Sequence, residues 1–236
     1  MPKNFIKKVA KAVGVDVRRL VKNPMHTLLG LSALPIATVL DVGANRGQFA
    51  AYVRNFYPAA RLFCFEPLPG PFQKLQQWAA GQEKITTFNL ALGETEGTAT
   101  MFQHLDHSTS SSLLATTELS KTLYPFTERQ NTVVVPMSTL DGVFEKMPGS
   151  LQPDILIKLD VQGYEEHVIA GGQRTFAAAK ACIVEVSLDE LYKGQADFKR
   201  LMLMLYDLGF RYVGNLEQNV GEDGHVIFFD AVFLRQ

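Results

Sequence analysis

Two acidic residues and two glycines in the first third of the chain have the spacing of a nucleoside-binding site. The segment from Asp41 to Gly47 follows an apolar run and precedes a helical pattern, so it turns from a strand into a helix. Gly43 and Gly47 let the backbone turn tightly and approach a ligand that a Cβ atom would obstruct. Glu66 ends the next β-like run, where a carboxylate can accept hydrogen bonds from both hydroxyls of a ribose.

The spacing of this glycine loop distinguishes between classes of nucleotide. Asn45 stands where a dinucleotide-binding fingerprint has its second glycine, the one that approaches the pyrophosphate. The loop therefore favours a nucleoside without phosphates, and S-adenosylmethionine is the first candidate. An NAD(P)-linked oxidoreductase is the alternative enzyme, and a catalytically silent scaffold that keeps the cofactor fold is a third reading.

A second set of charged residues ends a later apolar strand. Lys158 and Asp160 lie two positions apart after Ile155-Leu156-Ile157, so their side chains project to the same face. They form either a structural ion pair or part of a methyl-transfer site. Transfer from a sulfonium is an in-line displacement, so the protein must align the acceptor hydroxyl and manage its proton. Asp160 is the first choice of base or orienting group.

Other polar residues are weaker candidates. Glu165 and Glu185 are second-rank polar groups, and Asp189 could join Asp160 and Glu185 in an oxygen-ligand metal site. No Asp-Asp pair ends a strand, so we predict no metal. His107 directly precedes the serine-rich run 108–112 and is either a base or substrate contact over the cofactor, or a solvated loop residue.

From residue 38 onward, short β-rich runs alternate with helical patterns, which is typical of an α/β fold with a largely parallel sheet covered on both faces. The predicted helices include 47–57, 164–180 and 196–208. The final two strands, at 210–213 and 226–234, flank a turn rich in Gly, Asn and Asp, and the simplest interpretation is an antiparallel pair. The predicted strands are 38–42, 61–66, 85–90, 155–160, 181–187, 210–213 and 226–234.

The region between residues 97 and 137 departs from this alternation. Two β-like pieces, 97–102 and 132–137, flank a long polar segment. Such a connection inside a compact domain is either a functional lid or a disordered surface loop. We expect substrate contacts from the loops 103–131 and 214–225.

Several segments resemble the FkbM family of S-adenosylmethionine-dependent methyltransferases, and the likeness covers about residues 36–235 in order. The resemblance implies a class I, Rossmann-like methyltransferase fold, with a seven-stranded, mostly parallel sheet of order 3-2-1-4-5-7-6 and an antiparallel C-terminal strand. It also implies O-methylation, commonly of sugars or of polyketide and glycolipid hydroxyls. The matching segments are VLDVGANRGQF, FCFEP, NLALG, TLDGVF, DILIKLDVQGYEEHVIAGG and IVEVSLDELY.

The resemblance also implies roles for individual residues. Asp41, Gly43 and nearby backbone would lie against the methionine part of the cofactor, Glu66 on the ribose, and Ala91 and Leu92 near the adenine. Gln162 occupies a position where many relatives carry Glu. The predicted cofactor-binding residues are Asp41, Gly43, Asn45, Gly47, Glu66, Ala91, Leu92 and Asp160. The predicted catalytic residues are Asp160, Lys158 and His107.

Charge divides the 236-residue chain into two parts. Its 23 basic and 24 acidic residues leave a net charge of −1, but residues 1–22 contain seven bases and one acid. The remainder carries −7, which disfavours nucleic-acid binding by the body. We predict a basic amphipathic helical arm over 1–35, with its apolar stripe in 3–22, and a single methyltransferase domain over 36–236. The arm either contacts an anionic membrane or packs on the domain or a second subunit.

The sequence also predicts where in the cell the protein is located. The longest apolar stretch, 28–40, has 13 residues and is too short for a spanning helix. No secretion signal is recognisable, so we expect a cytoplasmic protein, peripheral at the inner face of the membrane if the arm binds lipid. Cys64 and Cys182 lie in strand-like runs and are expected to be buried, reduced thiols.

Overall fold

The computed structural model describes residues 3–15, 20 and 23–236. The helices of this part of the chain are α1 (Lys3–Ala12), α2 (Pro24–Thr27), α3 (Gln48–Arg54), α4 (Pro69–Ala79), α5 (Glu118–Leu123), α6 (Leu140–Glu145), α7 (Glu165–Ala170), α8 (Gln173–Ala178) and α9 (Phe198–Asp207). The strands are β1 (Thr38–Val42), β2 (Arg61–Phe65), β3 (Ile85–Phe88), β4 (Ala91–Leu92), β5 (Gly97–His104), β6 (Gln130–Ser138), β7 (Ile155–Leu159), β8 (Ala179–Ser187), β9 (Phe210–Val220) and β10 (Val226–Arg235).

The main sheet has seven strands in the order β3-β2-β1-β7-β8-β10-β9. β10 runs antiparallel to both β8 and β9, whereas the other neighbouring strands are parallel. This arrangement confirms the predicted α/β class I methyltransferase fold, including its strand order. The carboxyl ends of β1, β2 and β7 therefore meet at one edge, where ligands bind in open α/β sheets.

Alternation along β1 explains why both faces of the sheet are covered. All five residues of this strand are buried. Val39 belongs to a core cluster with Val53 of α3, whereas Leu40 belongs to a second cluster with Phe144 of α6 and Leu205 of α9. Successive side chains point to opposite faces, so one central strand contributes to two hydrophobic cores.

A smaller sheet of order β4-β6-β5 is inserted between β3 and β7 in the sequence. β5 and β6 pair antiparallel along their length, from Gly97–Met137 to His104–Gln130. Its buried side chains include Ala91, Met101 and Val135, which pack with Leu68 just before α4. This insert stands beside the carboxyl edge of β1 and β2.

The predicted N-terminal helix is shorter in the structure. α1 ends at Ala12 because Gly14 adopts φ +76°, a left-handed conformation that terminates helices. Val9 and Val13 of the predicted apolar stripe are exposed. Residues 16–19 and 21–22, also predicted as helix, lie outside the described residues.

The later part of the predicted arm packs on the domain. Leu28 and Leu31 are fully buried, and the Tyr57 hydroxyl donates to the Leu31 carbonyl oxygen over 2.5 Å. The domain boundary at residue 35 stays a prediction. No helix among the described residues combines the length and apolar character that a membrane span requires.

Other element predictions need correction. The predicted helix 164–180 divides into α7 and α8 at Gly171, where a Cβ would lie 1.9 Å from the Gly93 carbonyl oxygen, and Ala179 already begins β8. The predicted loop 214–225 is mostly strand, since β9 continues to Val220.

The prediction for the thiols is confirmed. Cys64 and Cys182 are buried and free. They lie on β2 and β8, which β1 and β7 separate in the sheet, so no disulfide can join them.

Candidate active site

The loop after β1 fits against the ends of two neighbouring strands. The N–H groups of Gly43 and Ala44 donate to the Phe65 carbonyl oxygen, over 3.0 and 2.9 Å, at the end of β2. Gly43 has φ +85°, and a Cβ there would lie 1.8 Å from the carbonyl oxygen of Asp160. Only glycine can occupy this position, as the loop spacing predicted.

Glu66 is held rigidly at the end of β2. One carboxylate oxygen accepts the N–H of Asn45 over 2.9 Å and the other accepts that of Leu68 over 2.8 Å. Burial raises the pKa of Glu66 to about 7, although these two hydrogen bonds oppose the shift. Each carboxylate oxygen can accept a further hydrogen bond, so ribose hydroxyls can be bound there without breaking the backbone contacts.

Asp41 is buried beside the same loop and lacks a complete set of partners. Its Oδ2 atom has no hydrogen-bond donor in the part of the chain that the structure describes. Burial raises the pKa of Asp41 to about 7, with Lys158 lowering it and Asp160 raising it by smaller amounts. Because a buried orphan carboxylate oxygen is costly, this position suits the cationic methionine part of S-adenosylmethionine.

These residues line a first cavity of about 160 Å³ at the carboxyl edge of the sheet. Ala91 and Leu92 lie in its wall, and Gly43, Asn45 and Asp160 line it too. Gly47 does not line this cavity. Gly47 has φ +88°, and a Cβ at this position would lie 2.8 Å from the Trp78 side chain, so packing requires a glycine here. The apolar wall includes Phe65, Leu68, Leu90, Ala91, Leu92, Met101 and Leu113.

Lys158 and Asp160 form an ion pair and both line the first cavity. Lys158 Nζ lies 2.9 Å from Asp160 Oδ2 and 3.5 Å from Asp230 Oδ1. Burial alone would lower the pKa of Lys158, but Asp160, Asp230 and Glu185 together raise it above its ordinary value. Lys158 therefore stays protonated and orients Asp160 rather than accepting a proton.

Gln162 bridges groups that the sequence keeps apart. Its Nε2 atom donates to Asp160 Oδ1 over 2.8 Å and to Glu185 Oε1 over 2.7 Å, and its Oε1 accepts from the Tyr192 hydroxyl over 2.6 Å. A glutamate here would bring a third carboxylate against the other two. Gln162 thus fixes the carboxylates, a role that its sequence position did not reveal.

Glu165 has a structural role at the turn after β7. Its Oε1 atom accepts the N–H of Val161 over 2.9 Å and that of Gly163 over 3.3 Å. Burial raises its pKa to about 7. Glu165 lines neither cavity and instead stabilises the loop that carries Asp160 and Gln162.

A second cavity of about 290 Å³ adjoins the first and shares Thr109, Asp160 and Gln162 with it. His107 lies in this second cavity and not over the first, with its ring 4.7 Å from that of Phe126. The other lining residues are Ser110, Ser120, Tyr124, Phe126, Thr127, Glu185, Leu191, Tyr192, Asn219 and Phe228.

The polar segment 105–129 is an ordered wall between the two cavities. Ser108 Oγ lies 3.2 Å from Asn45 Nδ2, and Ser112 Oγ donates to the Gln162 carbonyl oxygen over 2.6 Å. Ser108, Thr109 and Ser111 line the first cavity. The sequence alone did not predict these contacts, although the serine-rich run 108–112 contains the residues that make them.

The oxygen-ligand site considered for a metal does not form. Asp189 pairs with His225 over 2.8 Å, while Asp160 and Glu185 are bridged by the Gln162 amide. Among the described residues no group of three or more His, Cys, Asp and Glu side chains has metal-binding geometry.

The chain is similar in sequence to one protein family and to two named relatives. A family model described as "Methyltransferase FkbM domain" matches residues 41–212. The 2-O-methyltransferase NoeI of Sinorhizobium fredii is 26% identical over 183 residues, covering 75% of this chain and 74% of the relative. Methyltransferase 1 of Beauveria bassiana is 22% identical over 186 residues, covering 73% and 71%.

The chain also has a partial likeness to solved structures. The magnesium protoporphyrin IX methyltransferase of Synechocystis PCC 6803, solved with bound SAM, has a TM-score of 0.46 and 12% identity, covering 99% of this chain and 97% of that one. A putative O-methyltransferase from Klebsiella pneumoniae has a TM-score of 0.47 and 12% identity, covering 99% and 89%.

Proposed function

The chain belongs to the FkbM methyltransferase family and uses S-adenosylmethionine, and from this premise we propose that it methylates a hydroxyl of a sugar, glycolipid or related natural product. One observation carries the proposal: a cavity lined by Asp41, Glu66 and Asp160 adjoins a second cavity at Asp160. A methyl donor and an acceptor can therefore meet at one carboxylate. The name of the Sinorhizobium relative, a 2-O-methyltransferase, supports a hydroxyl acceptor.

The residues of the first cavity fit the cofactor group by group. Asp41 Oδ2 offers an unpaired buried oxygen to its cationic part, and Glu66 offers acceptor positions to its ribose. Ala91 and Leu92 supply apolar surface for the adenine. When bound, S-adenosylmethionine supplies a methyl group on a positively charged sulfur.

Asp160 would accept a hydrogen bond from the acceptor hydroxyl and take up its proton during transfer. Lys158 holds one oxygen of this carboxylate and Gln162 holds the other, so its orientation is fixed before the acceptor binds. Such preorganisation favours attack along one line and limits the cost of alignment in the transition state. Lys158 acts here as a positioning residue.

The N-terminal arm suggests where the acceptor is presented. α1 contains Lys7, Lys8 and Lys11 and no acid, and its Val9 side chain is exposed. We propose that the arm places the methyltransferase domain at an anionic membrane surface on the cytoplasmic side, where a lipid-linked saccharide would be a suitable acceptor.

A tritiated-methyl transfer assay against fractionated cell extract tests the function. We expect labelled product with the wild-type chain, and a loss of about 100-fold with Asp160→Ala. Calorimetry should show that this variant still binds S-adenosylhomocysteine and that neither protein binds NADH.

Two outcomes would contradict the proposal. Unchanged transfer by Asp160→Ala would remove Asp160 from the catalytic site. Binding of S-adenosylhomocysteine without any transfer by the wild-type chain would instead favour the silent-scaffold alternative.

A further inference from the structure

We propose that the second cavity is the methyl-acceptor site and that it selects an acceptor unit without negative charge. This inference rests on the proposed O-methyl transfer and adds the position and charge of the acceptor. The two cavities share Asp160, so a molecule in the second cavity reaches the carboxylate that also faces the cofactor. In-line displacement requires this arrangement, with donor and acceptor on opposite sides of the transferred group.

The walls of the second cavity suit a small ring with several hydroxyl groups. Tyr124 lies 5.7 Å from Phe126 and 6.5 Å from Phe228 between ring centroids, which gives apolar faces for C–H groups. Asn219 Oδ1 accepts the Tyr124 hydroxyl over 2.9 Å, so its amide N–H groups remain as donors.

The charges of the second cavity are arranged against an anion. Asp160 and Glu185 are its acidic side chains, His107 is its histidine, and no lysine or arginine lines it in the part of the chain that the structure describes. The nearby Lys158 is shared between Asp160 and Asp230. A phosphate or carboxylate in the cavity would lie beside the Asp160 carboxylate, whose counter-ion Lys158 already pairs with a second carboxylate, Asp230.

The protonation of Glu185 agrees with a cavity that disfavours anions. Burial, followed by the charge of Asp160, raises the pKa of Glu185 well above its usual range. Burial and the neighbouring Asp160 charge disfavour the ionised form of Glu185, and the same two conditions disfavour a bound anion. In its protonated form it can still donate to or accept from a neutral hydroxyl.

Adjacent residues of β9 offer a matched pair of variants for locating the acceptor. Both residues are exposed, but Asn219 lines the second cavity and its neighbour Gln218 does not. We expect Asn219→Trp to reduce tritiated-methyl transfer to extract acceptors at least tenfold, with unchanged S-adenosylhomocysteine affinity. Gln218→Trp should transfer at the wild-type rate.

The charge of the acceptor is read from the labelled product. After mild acid hydrolysis, the labelled unit from the wild-type reaction should pass an anion-exchange column unretained. Asn219→Lys places a cation in the cavity and should increase the retained share of label at least threefold, whereas Gln218→Lys should not.

Each result bears on one part of the inference. Wild-type transfer by Asn219→Trp would overturn the site, and a mainly retained wild-type label would overturn the charge selection. If the wild-type chain binds S-adenosylhomocysteine but labels nothing, the proposed function fails and the acceptor site fails with it.

Discussion

At the scale of single residues, the site contains carboxyl groups that are buried before any ligand arrives. Asp41 and Glu66 both have a pKa raised to about 7 by burial, and Asp41 Oδ2 has no partner among the described residues. These groups make the ligand-free protein less stable than apolar replacements would. The free energy that burial of these carboxyl groups costs the folded protein is recovered when a cationic, hydroxyl-bearing cofactor binds.

The raised pKa of Asp41 predicts a pH dependence of stability. Its pKa is about 7 in the folded chain and about 4 when unfolded, so the folded state binds the extra proton between these values. The stabilising effect is present below about pH 4 and is lost as the pH rises through about 7. The free energy of unfolding of Asp41→Asn should therefore increase relative to that of the wild type as the pH rises from about 4 to about 7. Urea denaturation measures this difference, and a pH-independent value would contradict it.

Glu66 predicts a loss of cofactor affinity without loss of fold. In Glu66→Gln the side-chain amide can no longer accept hydrogen bonds from Asn45 and Leu68 and from both ribose hydroxyls at once. We expect the Kd for S-adenosylhomocysteine to rise at least about tenfold, equivalent to about 1.4 kcal/mol. Calorimetric titration measures it, with Glu83→Gln at an exposed position as the control. Equal affinities in the two variants would exclude Glu66 from the ribose site.

At the scale of elements, the site depends on close contact between the β1 loop and the end of β7. Gly43→Ala would place a methyl group 1.8 Å from the Asp160 carbonyl oxygen at a positive φ. We expect it to lower the free energy of unfolding by at least about 2 kcal/mol. Gly70→Ala is the control, since nothing lies within 4 Å of its Cβ position. Thermal unfolding of both variants tests the contact, and equal stability would contradict it.

The segment 105–129 predicts a change in hydrogen exchange. The hydrogen bonds from Ser112 to the Gln162 carbonyl oxygen and between Ser108 and Asn45 place this segment against the first cavity. We expect S-adenosylhomocysteine to slow amide exchange at 108–113 several-fold, because bound ligand suppresses local opening. The hairpin turn 221–225 serves as an internal reference. Slowing confined to the β1 loop would show that the segment does not cover the cofactor.

Apolar runs and glycine positions were sufficient to predict the central strands and the cofactor loop. They did not predict α6, whose six residues are too few for a helical period to be recognised. They also ended β9 too early, since Gly214 and the polar residues after it resemble a turn although they continue to pair with β10. The bridge from Gln162 to Glu185 joins the loop after β7 to a residue of β8 that lies 23 positions away, so it depends on packing that no local pattern encodes.

At the scale of the whole molecule, charge is divided between a basic arm and an acidic body. Residues 1–22 carry seven of the 23 basic residues, and the body holds all but one of the 24 acids. The carboxylates of the active site belong to that acidic body. The cationic cofactor and a non-anionic acceptor match this part, while an anionic surface matches the arm.

The arm predicts binding to anionic vesicles. A chain beginning at Asn23 keeps the residue whose side chain caps α2 and removes the basic segment. We expect the full chain to co-sediment with vesicles containing phosphatidylglycerol and the shortened chain to remain unbound. The reason is that each basic residue near an anionic surface contributes about 1 kcal/mol of binding free energy. Neutral phosphatidylcholine vesicles are the control. Equal binding of both chains would assign membrane contact elsewhere.

A crystal structure with bound S-adenosylhomocysteine would test the central claim most directly. The arrangement of Asp41, Glu66 and Asp160 predicts ribose hydroxyls on Glu66, the amino-acid part beside Asp41, and the sulfur facing the second cavity next to Asp160. A ligand bound outside the first cavity, or one whose sulfur faces away from Asp160 and the second cavity, would contradict the account.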